Sequence, residues 1–552
     1  MSNMNDTIAE QIIKFMGKQE IEFAFGYPGG PILPIYDALA SVSKPKGITV
    51  RHEESASFMA DAIGKLTGRP GLCMSTMGPG AANMLIGVAT AMSDYTPMIA
   101  ITGQLRQNRL GKGDQQETDH NSIYEGVTKE SIQIKDPKEA LKIIEKAYKI
   151  SIEGRPGPVH IDLPRDVSSA KTENEYEIKK YIKKENKTID LQEIKEAVEL
   201  IKKSSCPVIL SGGGTITAGA SKQITELAES ILAPVATSYN GRGSISEEHH
   251  LSIGRAGEFT PEYANKIISE TDLIIAIGYR FTDVSIEGIS IREDAKIIQI
   301  DIDRNELGKV IPIELPIRGD AKVAIESLIN EVKKQGLSSS RLKKWNDNVN
   351  KAKELWKRKY QTIENSDSRP IKPQRVMKEI KEYLNDDTII TAGAGRCKMW
   401  AASVLPIRNP RTWIHSGGYA PMGYEICAGI AAKMVKPNNQ VISVSGDATF
   451  QMVCQELATA VENNAPFLIC ALNDKSLGVI KYAQIKNYGR TFGTDFELDV
   501  NLAEVAKSFG AEGHRIERPS EIASGIEQGL KSDKPYLLDI IIDGNEDPTF
   551  RV

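Results

Sequence analysis

Along the chain, short runs of apolar, often β-branched residues alternate with longer stretches in which apolar residues recur every three or four positions. The first pattern predicts buried strands and the second amphipathic helices. The alternation is clearest over residues 441–479. Residues 441–445 read as a strand, broken by Gly446 and Asp447. Met452, Val453, Leu457, Ala460 and Val461 predict one helix over 450–461, ended by Asn463, Asn464 and Pro466. Residues 467–472 read as a second strand, closed by Asn473 and Asp474. The two strands of such a unit are expected to be parallel neighbours. Their C-termini then share one sheet edge, and Asp447 and Asp474, 27 residues apart, face one crevice of the kind in which open α/β sheets bind ligands.

The same alternation runs through the rest of the chain. Strand-like residues 23–27 lead into Pro28-Gly29-Gly30, 48–50 into Arg51-His52-Glu53 and a helix, 71–77 into Gly78-Pro79-Gly80, and 98–102 into Gly103-Gln104. Later, 207–210 precede Ser211-Gly212-Gly213-Gly214, 273–277 precede Gly278-Tyr279-Arg280, and 296–302 precede Asp303. A helix over 373–384 and a strand over 388–391 lead into Ala392-Gly393-Ala394-Gly395. Strand–turn–helix units in succession predict parallel sheets. The charged stretch 171–192 and the lysine-rich stretch 336–369 read as linkers, the second with a helical pattern over 342–360. The expected architecture is α/β: three Rossmann-like, doubly wound parallel-sheet domains at 1–170, 193–335 and 370–552.

Length supports that division, because 552 residues exceed what one core organises. A net charge of −4 gives no steering toward nucleic acid. The N-terminus MSNMNDTIAE has no apolar signal core, and no apolar run nears the roughly 18 residues of a membrane span, so a cytoplasmic location is expected. Cys73, Cys206, Cys397, Cys427, Cys454 and Cys470 form no CxxC pair and read as reduced thiols.

The chemistry concentrates at the strand ends. Two carboxylates suit Mg²⁺, which takes oxygen ligands and shares its shell with phosphates, and helix N–H groups suit phosphate oxygens. The stretch from Gly446 to Ser476 resembles the thiamine-diphosphate signature, with Ala448 where a second glycine is usual and Asp474 where a metal-binding asparagine is usual. Phe25-Gly26-Tyr27-Pro28-Gly29-Gly30, Arg51-His52-Glu53, Gly78-Pro79-Gly80-Ala81-Ala82-Asn83, Gln116-Glu117 and Gly154-Arg155-Pro156-Gly157-Pro158 resemble the first domain of the acetolactate synthase family, a pattern shared with pyruvate oxidases. Ser416-Gly417-Gly418 and Pro421-Met422-Gly423 resemble its diphosphate-binding domain.

The resemblance implies thiamine diphosphate and Mg²⁺ as cofactors, decarboxylation of pyruvate, and carboligation to a second 2-keto acid, in branched-chain amino acid biosynthesis. It implies that Glu53 meets N1′ of the cofactor's aminopyrimidine and that Gln116 lines the substrate pocket, although Gln115 stands where a phenylalanine is usual; Lys129 matches a lysine near that pocket. Pro28, Gly29, Gly78, Asn83, Gly395, Gly418, Met422, Asp447, Ala448 and Thr449 are its cofactor-binding positions, with Asp447, Asp474 and Ser476 around the metal. Met422 matches the residue that wedges between the cofactor's two rings. Arg155, Gly213, Arg280, Asp301 and Asp320 match FAD-binding positions, which makes FAD a further expected cofactor although GxGxxG is absent. Arg396-Cys397-Lys398 stands where Gln-His-Gln is usual. Val479 and Ala483 replace a methionine and a tryptophan of the synthases that favour 2-ketobutyrate. A homodimer or homotetramer and a regulatory small subunit are implied as partners. Two alternatives remain open: a pyruvate oxidase-like enzyme that passes electrons to FAD, and a catalytically silent nucleotide-binding paralogue.

Overall fold

The computed structural model describes residues 6–172, 177–182, 188–337 and 342–546. Among these, eighteen strands form three six-stranded sheets in which every ladder is parallel. The first holds β1 (Phe23–Gly26), β2 (Lys46–Thr49), β3 (Gly71–Ser75), β4 (Met98–Gln104), β5 (Glu130–Gln133) and β6 (Pro158–Pro164), in the order β2-β1-β3-β4-β6-β5. The second holds β7 (Pro207–Ser211), β8 (Val235–Thr237), β9 (Ser252–Arg255), β10 (Leu273–Ile277), β11 (Lys296–Asp301) and β12 (Leu315–Arg318), in the order β12-β11-β10-β7-β8-β9. The third holds β13 (Ile389–Ala392), β14 (Trp413–His415), β15 (Val441–Gly446), β16 (Leu468–Asn473), β17 (Glu512–Ile516) and β18 (Tyr536–Ile541), in the order β14-β13-β15-β16-β18-β17. The third sheet repeats the order of the first, and the second has the order of dinucleotide-binding sheets.

Each order reverses beside the first strand of its sheet, and a crevice opens beyond the strand ends at that point. The reversals lie between β1 and β3, β7 and β10, and β13 and β15. Glycines let the two flanking turns approach each other there. A Cβ on Gly29, after β1, would lie 2.5 Å from Thr76 Cβ, after β3; one on Gly212, after β7, would lie 1.8 Å from the Gly278 carbonyl oxygen, after β10.

One expectation needs correction. The helix expected over 450–461 is two helices, Asp447–Val453 and Glu456–Glu462. At the break, Leu457 and Ala458 bond three residues back, to the carbonyls of Cys454 and Gln455. The tighter turn buries Glu456, which accepts from the Arg51 amide (2.9 Å) and Thr459 Oγ1 (2.7 Å), and leaves Met452 58% exposed. Within the linker stretch 336–369, the helical pattern expected over 342–360 is the helix Lys343–Glu364, pinned by Trp345 Nε1 donating to the Pro207 carbonyl at 3.2 Å. Of the stretch 171–192, residues 173–176 and 183–187 lie outside the described residues; Tyr181 is tied through its amide to Gln19 Oε1.

The outer sheets share one core. Helix Glu53–Thr67 packs on helix Tyr424–Val435, with the Phe58 and Tyr424 rings edge to face at 5.5 Å. At the end of this contact Lys65 is buried between Asp61 and Asp94, 2.8 Å from each. Tyr424 donates to Asp61 Oδ2 (2.6 Å), while Asn240 Nδ2 (3.0 Å) and the Gly418 amide (3.1 Å) donate to Asp94 Oδ1. Lys65 also donates to the His415 carbonyl. The Gly417 amide donates to His415 Nδ1, so the ring proton is on Nε2 and bonds Asn240 Oδ1 at 2.6 Å. Burial pushes the Asp94 carboxyl up, but the Lys65 ammonium and the hydrogen bond from Asn240 outweigh it and hold the group well below the usual carboxylate range. One charge knot thus joins all three sheets.

Removing one partner of a buried ion pair leaves an uncompensated charge, which costs about 3–5 kcal/mol. Lys65→Met is expected to lower the midpoint of thermal unfolding accordingly; a midpoint equal to that of the unaltered protein would show that the knot does not hold the domains.

Candidate functional site

The register of β15 and β16 pairs Gly446 with Leu472, so Asp447 and Asp474 leave the sheet side by side at its C-terminal edge. Asp447 opens helix Asp447–Val453 and is buried. Burial and the neighbouring Asp474 push its carboxyl up to about 7. Asp474 Oδ1 accepts from the Ser476 amide (3.1 Å), and Oδ2 lies 3.4 Å from Arg396 Nη1. Ser476 bridges to Asp495, but the bonds come from the neighbouring Leu477 amide and Lys475 carbonyl, which leaves the Ser476 carbonyl outside them. Its hydroxyl is buried without a partner among the described residues. Two carboxylates that repel each other, beside unspent serine oxygens, suit a hard divalent cation that keeps part of its shell for phosphate.

Ala448 lies inside that helix, where backbone angles suit any residue, so the missing glycine costs nothing there. Thr449 is engaged locally: its hydroxyl meets Glu425 Oε1 (2.6 Å) and accepts from the Gly446 amide (3.0 Å). Glu425, buried beneath this turn with its carboxyl pushed up by burial, was not singled out in the sequence. Gly395 (φ 90°) turns the chain from β13 into helix Arg396–Val404.

The other half of the site is on the first sheet. Glu53 is the first residue of its helix, capped by His52, whose Nδ1 accepts from the Glu54 amide. Asn83 Nδ2 donates to Glu53 Oε2 at 3.0 Å. Gly80 leaves room for this acid, because a Cβ there would lie 3.0 Å from Oε1. The Gly78 turn (φ 58°) is fixed from below by His120, which accepts the Gly78 amide on Nε2 (3.1 Å) and meets Asp162 through Nδ1 (2.9 Å). This buried support is 42 residues distant in sequence and has no local motif. Gln116, with φ 65°, lays its backbone against Gly78 and exposes its side chain. Lys129 does not line this pocket: its ammonium bonds the carbonyls of Ile150, Glu153 and Arg155 at the end of helix Ala140–Ile152.

A cavity of about 430 Å³ opens between the sheets at the β7/β10 reversal. Arg155, Gly213, Arg280, Asp301, Asp320 and Gly418 all line it. Arg155 stacks on Tyr95 and pairs with Asp303 (2.7 Å), while its Nη2 is buried with no acceptor among the described residues. Asp320 also caps helix Ala321–Lys334, and Asp301 accepts the Asp303 amide. Lys398, pushed down to about 8 by burial, lines the same space. An anion-accepting donor, glycines at a reversal and two acids fit a dinucleotide's diphosphate and hydroxyls.

Three family models match the chain in order: the N-terminal TPP binding domain of thiamine pyrophosphate enzymes at residues 6–123, their central domain at 194–328, and their C-terminal TPP binding domain at 393–540. The probable acetolactate synthase large subunit of Methanocaldococcus jannaschii is 39% identical over 98% of this chain and 92% of that protein. That of Methanococcus aeolicus is 38% identical over 97% and 92%, and the acetolactate synthase isozyme 3 large subunit of Escherichia coli 31% identical over 98% and 95%. The chain belongs to the acetolactate synthase large-subunit family. As a member of that family it is a thiamine pyrophosphate-dependent enzyme, and the Asp447–Asp474 edge lies in its C-terminal TPP binding domain. No helix among the described residues is long and apolar enough to cross a membrane.

The raised Asp447 carboxyl makes a pH prediction. An ordinary aspartate titrates near 3.9, so between about pH 4 and 7 the folded protein holds a proton that the unfolded chain has lost. The stability this gives is complete below about pH 4 and disappears as pH rises through about 7. Without metal, Asp447→Asn is expected to remove part of the fall in thermal midpoint between about pH 5.5 and 7.5, and Mg²⁺ should bind the unaltered protein more tightly as that proton leaves. A midpoint-against-pH curve unchanged by the substitution would contradict the assignment.

Proposed function

We propose that this protein decarboxylates pyruvate and joins the remaining two-carbon unit to a second 2-keto acid, using thiamine diphosphate and Mg²⁺. The observation that carries the reading is Glu53, an acid at the head of a helix in the N-terminal TPP binding domain, with one oxygen held by Asn83. Thiamine diphosphate, when bound, supplies the nucleophilic carbon and the electron sink for loss of CO₂. Asn83 holds Glu53 through Oε2, and among the described residues Oε1 accepts no hydrogen bond that would compete for a proton at N1′; the carboxyl group would hold and move that proton. Asp447, Asp474 and the Ser476 carbonyl hold the metal, Gly395 and the turn at Gly446 receive the diphosphate, and Met422 orients the two rings. Pro28, Gly29, Gly78 and Gln116 wall the pyrimidine and substrate side.

FAD is the further cofactor of this reading, in the cavity with Arg155, Gly213, Arg280, Asp301 and Asp320; the orphaned Arg155 Nη2 supports it. A homo-oligomer completes the site. No hydrogen bond or ion pair among the described residues joins Glu53 to Asp447 or Asp474, and the helix Gly478–Tyr488 and the loop after it expose Ile480, Ile485, Tyr488 and Phe492, the last at 89%. The relatives are named large subunits, which supports a regulatory small subunit as partner.

Glu53→Gln tests the reading. Loss of a general acid–base group costs roughly 10²–10⁴-fold in rate, whereas one hydrogen bond costs about 0.5–1.5 kcal/mol of affinity. Pyruvate consumption should collapse while thiamine diphosphate still binds within about tenfold; near-normal turnover would overturn the assignment.

Acceptor choice gives a second test. Val479 and Ala483 lie one turn apart on helix Gly478–Tyr488, and neither offers a bulky wall. A methylene in an apolar pocket discriminates by about 1–3 kcal/mol, and without the wall most of that is lost. With pyruvate and 2-ketobutyrate supplied together, comparable amounts of acetolactate and acetohydroxybutyrate are expected, and Ala483→Trp should raise the share of the latter. A strong excess of acetohydroxybutyrate from the unaltered protein would show that another residue forms the wall.

A further inference from the structure

Arg396 and Asp474 come from different loops of the third sheet and are 78 residues apart, yet they meet at the end of the proposed metal edge. Arg396 Nη1 lies 3.4 Å from Asp474 Oδ2, and each side chain is 8% exposed. The guanidinium is fixed from its other side. Nη1 also donates to the Gly544 carbonyl at 2.6 Å, and Nη2 donates to the Glu546 carbonyl. That segment is anchored in turn by Lys372 on Asp543 (2.9 Å) and Gln374 on Glu546 (2.9 Å). Carbonyls hold a guanidinium without cancelling its charge, and the Arg396 charge acts on Asp474, drawing its carboxyl down against the upward push of burial. The backbone also leaves space for the pair: a Cβ on Gly478 would lie 2.6 Å from Arg396 Cδ and 2.8 Å from Asp474 Oδ2.

We propose that Arg396 is a positioning residue for the metal-binding carboxylate of Asp474, the two forming one charge-balanced unit that lets this site use two acids. The inference rests on the reading that this edge holds Mg²⁺ and thiamine diphosphate. An asparagine at position 474 would leave one carboxylate, Asp447, facing the diphosphate. Aspartate adds a second negative charge to a buried site that must also receive an anionic ligand, and like charges at such distances repel strongly. The guanidinium restores the balance. It also fixes the carboxylate: the Ser476 amide takes Oδ1 and Arg396 takes Oδ2, which orients the group while each oxygen keeps a lone pair for a metal. Two of the places where this edge departs from the resemblance, Asp474 for asparagine and Arg396 for glutamine, are therefore in contact and offset each other. Arginine suits the role because its planar fork reaches a carboxylate and two carbonyls at once, which a lysine ammonium on a flexible stem does not do with the same geometry.

A double-mutant cycle tests this. Thiamine diphosphate affinity is measured by calorimetry at saturating Mg²⁺ for the unaltered protein, Arg396→Gln, Asp474→Asn and the double variant, with a thermal midpoint for each. Arg396→Gln alone should weaken binding at least about tenfold, because two unbalanced acids then face the diphosphate, while the same change in the Asp474→Asn background should cost less than about threefold. A purely structural role for Arg396 would cost the same factor in both backgrounds and lower both midpoints equally, and that result overturns the proposal. Should Arg396→Gln alone not fold, the comparison is read from Arg396→Lys, which keeps the charge and should retain part of the coupling; equal losses in both backgrounds again overturn it. If the unaltered protein binds no thiamine diphosphate with Mg²⁺, the functional reading itself fails, and this inference with it.

Discussion

A lysine ammonium does not stay buried without anionic partners. Lys65 has two, and each carboxylate reaches into another part of the chain. Asp61, one turn earlier on the same helix, accepts from Tyr424 of the third sheet's packing helix; Asp94, at the end of helix Pro79–Asp94, accepts from Asn240 of the central sheet and from the Gly418 turn. The candidate functional residues hang on the same elements. Glu53 begins the helix that carries Lys65, Met422 lies between Gly418 and the helix headed by Tyr424, and Asn240 stands in the cavity wall. Loss of the knot would therefore misplace both cofactor halves and the central cavity together.

Within each sheet the placement follows from topology. A parallel sheet that reverses its winding leaves two strand ends side by side with their connections departing to opposite faces. This chain does so beside the first strand of each sheet, and the turns there hold its candidate ligand groups: Gly29 and Gly78 in the first sheet, Gly213 with Gly278 in the second, Gly395 with Asp447 in the third. The matching order of the outer sheets explains how one architecture presents the proposed pyrimidine-side acid in one domain and the proposed metal edge in another.

Much of this was legible in the sequence because strand-length apolar runs and helix-length periodicity are local properties. The parallel β15–β16 pair, with its two acids at one edge, follows from a strand–helix–strand pattern alone. What was not legible depends on distant contacts. Nothing near Cys454 or Gln455 marks a helix break; it comes from burying Glu456 against the Arg51 amide. The His120–Asp162 support beneath Gly78 joins three separate segments, and Glu425 looks like an ordinary charged residue at a helix start until Ser445 and Thr449 close on it. In sequence Lys129 only matches a lysine near the pocket, whereas its reach to three helix-end carbonyls depends on how the chain folds back after Ile152. The contact between Arg396 and Asp474 pairs two residues that, in sequence, are only separate departures.

The proposed function requires this scaffold to perform carboligation rather than oxidation or binding alone. Its most direct test is identification by mass of what the purified protein makes from pyruvate with thiamine diphosphate and Mg²⁺, with FAD added. The account predicts 2-acetolactate, appearing as acetoin after acid treatment, together with CO₂. Acetate or acetyl phosphate as the product, or bound flavin with no consumption of pyruvate, would contradict it.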